Sequence, residues 1–336
     1  MSDPFTDPDV PALQTRLTRE YGLRHPFVGA GMGFIAHEQL AAAVTNAGGL
    51  GVLGASPDPA ASLIVMVERL RALTCGPFGV DLICADTGFG PASTEEHIDA
   101  CVQLDVPLVV FHHDPPPARW VGMLRAAGIR VWMQASSPGI ASAVIELGVD
   151  GIVAQGSEAG GHARGRIPLH ILLRTIRHKW PDMLVLGAGG ISDGTVAAAA
   201  LCAGADGVWV GTALVAAVEA NAHPEYKRRL IDSPGRTLRS TAFGPEWPDQ
   251  PYRLLATPPC SARRQAFAVR IRKSTDRSAE HDCFHTRQTC RTTCRSDQRC
   301  RPRPKQVVIG TRWSTPPAKV WGLFEAPRRP PTSSDR

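Results

Sequence analysis

A chain of 336 residues with 43% hydrophobic content is long enough for one large core or two small ones. No run of 18 apolar residues free of charge occurs, which excludes a helical membrane span, and the polar start MSDPFTDPDVPALQTRL has no apolar leader segment, so the expected compartment is the cytoplasm. The net charge of +6 is uneven: residues 257–336 hold 18 Lys and Arg against 6 Asp and Glu, whereas residues 1–256 hold 19 against 25.

From residue 26 short apolar runs alternate with amphipathic stretches. PFVGAGM (26–32) reads as the first strand and EQLAAAVTNAGG (38–49) as a helix closed by glycine. LGVLGA (50–55) is followed by PAASLIVMVERLRAL (59–73), and FGVDLIC (78–84) by STEEHIDACVQLD (93–105), where STEE supplies a cap and first-turn acids. PLVVFHH (107–113) precedes ARWVGMLRAAG (118–128), and RVWMQA (130–135) precedes GIASAVIELG (139–148). GIVAQG (151–156), LVLGAGG (184–190) and GVWVGT (207–212) complete the strands, with helices at 169–180, 195–204 and 224–231. Strands this short, rich in Val, Ile and Leu and bounded by Gly or Pro, are those of a sheet buried on both faces. Eight evenly spaced strand–helix units predict a (β/α)8 TIM-type barrel; a doubly wound sheet is the alternative, but no odd antiparallel partner is present.

A barrel of this kind carries its chemistry where the strands end. Strand one ends GAGMG, so at Gly31 and Met32 backbone can approach a ligand closely. Strand three offers Asp81, strand four His112 and His113, and strand five Gln134. Strand six runs into QGSEAGGHARG (155–165), with Gln155, Glu158, Gly160, Gly161 and His162. Glycine turns after strands seven (Gly189, Gly190) and eight (Gly211, with Thr212) each feed a helix N-terminus, the usual phosphate cradle of this architecture; the bland reading is that they only permit tight turns. No GxxxxGK[ST] loop and no dinucleotide fingerprint is present. With Gln155 able to bond a heterocycle edge, the cofactor suggested is flavin mononucleotide, FMN.

The phrases VTNAGGLGVLGA (44–55), FGVDL (78–82), QGSEAGGHARG (155–165), LGAGGISDG (186–194) and ALCAGADGVWVGTAL (200–214) together resemble the nitronate monooxygenase family, formerly the 2-nitropropane dioxygenases, from about residue 13 to 255. The resemblance implies an FMN-binding barrel that oxidises alkyl nitronates with O2 to a carbonyl compound and nitrite. By position it puts Gly31 and Met32 beside the flavin ring. Asp81 and Gln155 lie at the ring's edge, with Gly160 and Gly161 close to it. Gly189, Gly190, Gly211 and Thr212 fall on the phosphate, and His162 is the catalytic histidine. An imidazolium there would hold the nitronate anion, and a neutral imidazole would take the α-proton of a nitroalkane. The chain departs from the family in two places. Asp81 stands where Asn is usual, so its carboxylate must be protonated, paired or solvated. VVFHHDPPP replaces a Phe–Gly turn, and strand alternation would turn only one of His112 and His113 toward the axis.

Residues 1–256 are therefore read as the barrel and 257–336 as a separate basic tail. Its Cys, Thr and Arg repeats, CFHTRQTCRTTCRSDQRCRPRP (283–304), lack the CxxC knuckle of a zinc module, so no metal is expected. A basic nucleic-acid arm lacks interleaved aromatics, and a disordered extension is a further reading. The fourth reading is a shifted reading frame. Read from the last base of the Ala codon, AKVWGLFE (318–325) permits Gln-Ser-Val-Gly-Leu-Ile-Arg, like the phrase that closes members of the resembled family. Three functions are carried forward. The first is nitronate oxidation with a small nitronate or nitroalkane and O2 as partners, and with no specific nucleic acid or membrane. The second is a related flavin barrel reducing a quinone or enoyl thioester with NAD(P)H. The third is an inactive barrel with a basic tail.

Overall fold

The computed structural model describes residues 13–256, apart from 57, 89, 234 and 242–249. The readings of residues 257–336 as zinc module, nucleic-acid arm, disordered extension or shifted frame lie outside the described residues.

Eight parallel strands close into a barrel. They are β1 (Phe27–Gly29), β2 (Leu50–Gly54), β3 (Phe78–Cys84), β4 (Leu108–His113), β5 (Arg130–Ala135), β6 (Gly151–Gln155), β7 (Leu184–Ala188) and β8 (Gly207–Val210). Each pairs with its sequence neighbour, and the ring is closed by Phe27↔Val208, Val28↔Trp209 and Gly29↔Val210. Helices Glu38–Asn46, Ala60–Leu73, Glu95–Gln103, Ala118–Ala126, Pro138–Glu146, Leu169–Lys179 and Gly194–Cys202 follow the first seven strands in turn. The eighth unit continues with one turn, Thr212–Val215, and then Pro224–Asp232.

Local chemistry explains these limits. Thr94 caps its helix through a capping box with His97, and Glu95 and Glu96 meet the positive end of the helix dipole. The chain leaves four of the helices through Gly48, Gly128, Gly148 and Gly204, all at positive φ, where a Cβ would strain the backbone.

Alternation along the strands sorts the side chains into two cores. Val109, Phe111, Met133, Ile152 and Val185 face the helices. Val28, Leu50, Val52, Leu108, Val110, Trp132, Val153, Leu184, Leu186 and Trp209 fill the barrel interior. A short helix that the strand–helix rhythm does not announce, Arg16–Tyr21, adds fully buried Leu17 to that interior. Its Tyr21 hydroxyl accepts the Trp132 indole N–H at 2.8 Å, with the rings edge to face. Among the described residues, no helix is long and apolar enough to cross a membrane.

The helix layer lies so close to the strands that glycine is required at Gly51, where a Cβ would sit 1.9 Å from the carbonyl oxygen of Ala41 in helix Glu38–Asn46. Overlap with backbone cannot be relieved by a rotamer change. Gly51→Ala is expected to lower stability by at least about 2 kcal/mol, read as a lower urea midpoint at unchanged slope.

Candidate active site

The inward-facing pattern continues to the C-terminal ends of the strands, but there its residues turn polar. On β3 the inward series passes through Gly79 to Asp81, and on β4 it runs Leu108, Val110, His112. On β5 it runs Trp132, Gln134, and on β6 Val153, Gln155. His112, His113, Gln134, Ser136, Gln155, His162 and Arg164 line one pocket at this mouth.

Asp81 is 4% exposed, and its carboxylate accepts a hydrogen bond from His112 Nδ1 at 2.7 Å. Of the three states open to a buried acid at this position, pairing is the one adopted. Gly31 makes room for it: a Cβ at Gly31 would lie 2.2 Å from the Asp81 Cβ. Burial pushes the His112 imidazolium down, but attraction to Asp81 and the hydrogen bond to it outweigh this, so its pKa is raised.

The expectation that only one of the adjacent histidines would reach the axis does not hold. His112 faces inward as alternation requires, and His113 lines the same pocket. At His113 the backbone leaves strand geometry, with φ at +85°, an unusual value for a residue with a Cβ. Arg164 stabilises this turn, donating from Nη1 to the His113 carbonyl at 3.3 Å and to the Asp114 carboxylate. Burial, then the neighbouring Arg164 and His112, lower the His113 pKa to about 4.

His162 lies on a two-residue strand, Gly161–His162, that pairs with Tyr252–Leu255, which in turn pairs with Thr237–Ser240. This antiparallel ribbon follows the barrel and folds back over the loop after β6. Its anchors are side chains that strand periodicity could not single out. Arg239 donates to the carbonyls of Ala163 and Gly165, and Arg253 donates to that of Ser157 at 2.8 Å. The Tyr252 ring stands edge-on to His162 at 4.5 Å, and the His113 ring lies 5.8 Å away on the pocket side. Gln155 donates from its amide to the His162 carbonyl at 3.1 Å. Burial, then the charges of His113 and His112, depress the His162 pKa to about 3, so the ring is neutral at ordinary pH.

The glycines of this loop have more than one cause. A Cβ at Gly156 would strike Leu169, one at Gly165 would strike Ser136, and one at Gly160 would come within 2.4 Å of the Thr212 hydroxyl. Gly161 differs: it needs its φ of +69°, and a Cβ there would come no closer than ordinary contact, 4.0 Å from the Tyr252 hydroxyl. A Cβ at Gly189 would meet the backbone of Ala159, and one at Gly190 the Glu158 side chain. The loops after β6, β7 and β8 therefore converge, bringing Gly160, Gly189, Gly190 and Thr212 together, while Gly211 packs beside Ala30 and Met32.

The glycine turns after β7 and β8 lead into two different helix starts. Helix Gly194–Cys202 is capped by Asp193, whose carboxylate accepts from Val196 N at 3.0 Å, and the helix after β8 is a single turn. Glu158 is also engaged, accepting the Leu169 amide at 3.1 Å.

The family model for nitronate monooxygenase matches residues 14–244. The chain belongs to the nitronate monooxygenase family. It is accordingly an oxidoreductase. A nitronate monooxygenase from Pseudomonas aeruginosa is 34% identical over 65% of this chain and 74% of its own. A (3aS,4S,5R,7aS)-5-hydroxy-7a-methyl-1-oxo-octahydro-1H-indene-4-carboxyl-CoA dehydrogenase from Rhodococcus jostii is 33% identical over 73% of this chain and 66% of its own. Among solved structures, FabK from Thermotoga maritima superposes with a TM-score of 0.66 at 32% identity, covering 73% of this chain and 76% of that one.

The depressed His162 pKa has a consequence for stability. Below about pH 6.5 the unfolded chain binds a proton here that the folded chain refuses until about pH 3, so stability falls as pH drops through that window. His162→Gln is expected to make that acid-side loss shallower, measured as the urea midpoint against pH.

Proposed function

We propose that this chain oxidises alkyl nitronates with O2 to a carbonyl compound and nitrite, using bound FMN. The convergence of His162, Arg164, Gln155 and the paired His112 on one pocket at the barrel mouth carries this reading, and the family supports the reaction class. The residues present fit the cofactor. Gly31 and Met32 offer backbone at the end of β1, and Gly160, Gly161 and Gln155 line the facing loop. Gly189, Gly190, Gly211 and Thr212 gather amides and a hydroxyl suited to a phosphate, with both nearby acids, Glu158 and Asp193, already held by backbone amides. Asp81, hydrogen-bonded to His112, would stand at the flavin edge.

Held by these residues, FMN would supply the electron-transfer chemistry between substrate and O2. The protein positions and shields. Arg164, fixed by Asp114, supplies the positive charge that attracts a nitronate. His162, neutral and held between Tyr252 and His113, acts as the catalytic group that exchanges a hydrogen bond or proton with the substrate. The paired strands Thr237–Ser240 and Tyr252–Leu255 hold the loop that carries His162 through their hydrogen bonds to it.

A second reading stays open because the Rhodococcus carboxyl-CoA dehydrogenase, at 33% identity, is about as similar as the nitronate monooxygenase at 34%. In it the same barrel uses NAD(P)H and reduces a quinone or enoyl thioester. Purified protein is expected to show flavin absorption and to release FMN on denaturation. It should form nitrite from ethyl nitronate in air, falling at least about 100-fold in His162→Gln. NAD(P)H oxidation without nitrite would overturn the first reading in favour of the second.

The domain reading places all of this in residues 1–256, and residues 257–336 arise from a shifted frame. Sequencing the coding DNA tests the latter: a family-like C-terminus in the alternative frame is expected, and its absence would sink the idea.

A further inference from the structure

The turn that follows β1 holds one residue in a conformation that its own side chain opposes. We infer that Phe34 is a cofactor-contact residue, whose ring packs on the flavin and screens it from water. This rests on FMN being the cofactor.

Three non-glycine residues among those described have positive φ: Phe34 at +65°, Asp105 at +49° and His113 at +85°. Asp105 follows a helix end, and aspartate tolerates that region because its short polar side chain bonds locally. His113 lines the pocket. Neither reason applies to Phe34. Its side chain is 59% exposed, so burial of the ring returns little of what the left-handed backbone costs. For folding alone, glycine would serve better at this position.

The surroundings force the conformation. The Ile35 and Ala36 amides both donate to the Met32 carbonyl, at 3.0 and 2.8 Å. Gly54 of β2 donates to the Ala36 carbonyl at 2.9 Å, and a Cβ on it would lie 2.3 Å from the Met32 carbonyl. Asn221, from the segment after β8, pins the same turn twice. Its backbone amide donates to the Ile35 carbonyl at 3.0 Å, and its Nδ2 donates to the Phe34 carbonyl at 2.9 Å. A backbone held this firmly presents its ring at one place before any ligand arrives.

That place adjoins the groups assigned to the cofactor. Gly31 and Met32, the backbone expected beside the flavin ring, immediately precede the turn, and two residues span at most about 7 Å. Met32 Sδ would lie 3.6 Å from a Cβ on Gly211, one of the glycines assigned to the phosphate. The turn and the phosphate loops therefore meet at Met32. A phenyl ring there offers a flat apolar face to a flat heterocycle, and contact between them removes apolar surface from water.

Stability and cofactor affinity should then respond in opposite directions. Full-length protein is stripped of flavin and titrated with FMN, and its urea midpoint is measured with and without FMN. Phe34→Gly is expected to leave the flavin-free midpoint unchanged or to raise it, because the left-handed backbone is relieved. It is expected to weaken FMN binding at least about tenfold and to shrink the rise in midpoint that FMN produces. Phe34→Tyr should bind FMN within about threefold of wild type. Phe34→Asn also tolerates the turn, and it carries the test if Phe34→Gly does not fold. A lower flavin-free midpoint in both variants would make the ring a folding element and overturn the role given to it. So would FMN binding by Phe34→Gly within about twofold of wild type. A changed sedimentation mass at unchanged FMN affinity would also overturn it, assigning the ring to a contact between copies. The FMN reading survives all three results. A wild type that takes up no FMN removes that reading, and the role of Phe34 with it.

Discussion

Closing eight parallel strands into a ring fixes where every second side chain must go, and the rest of the molecule follows from that constraint. Through most of the barrel the inward positions are filled by Val, Leu and Trp, which makes it a packed core rather than a pore. One or two residues further along the same strands, the inward positions become Asp81, His112, Gln134 and Gln155. There is no second device for bringing these groups together. The alternation that buries Val110 is what aims His112, and the register Ile83↔His112 between β3 and β4 sets Asp81 within reach of it.

A buried carboxylate cannot be left alone without a large desolvation cost. Asp81 and His112 meet that cost jointly, and the arrangement propagates. It requires glycine at position 31 and raises the pKa of His112, while burial first, with His112 a lesser contributor, lowers those of His113 and His162. Three histidines around one pocket thus reach different protonation behaviour from their burial and their neighbours. Such separation of pKa values is how a site assigns distinct proton roles to chemically identical side chains.

The fold was legible in the chain almost strand by strand, since short Val- and Ile-rich runs between glycine-closed helices leave few alternatives. The ribbon was not. Thr237–Ser240 and Tyr252–Leu255 are short, mixed in polarity and held by two arginines rather than by an apolar face, so they carry no periodic signal. Helix Arg16–Tyr21 is a single polar-looking stretch whose one fully buried residue is Leu17. Arg164 and Tyr252 escaped for the same reason: each acts through a loop that has no period.

The residue pattern by itself determined that there would be a barrel, which end would carry chemistry, and that glycine-rich turns and one histidine would stand at that end. It could do so because strand spacing, alternation and turn residues are local properties. Only the tertiary structure decided what Asp81 pairs with, that His113 turns into the pocket through a positive φ, and that a ribbon clamps the loop carrying His162. It also decided that glycines 156, 160 and 165 make room for neighbouring protein. Those outcomes depend on distances between residues far apart in the chain, and such distances exist only once the ring has closed.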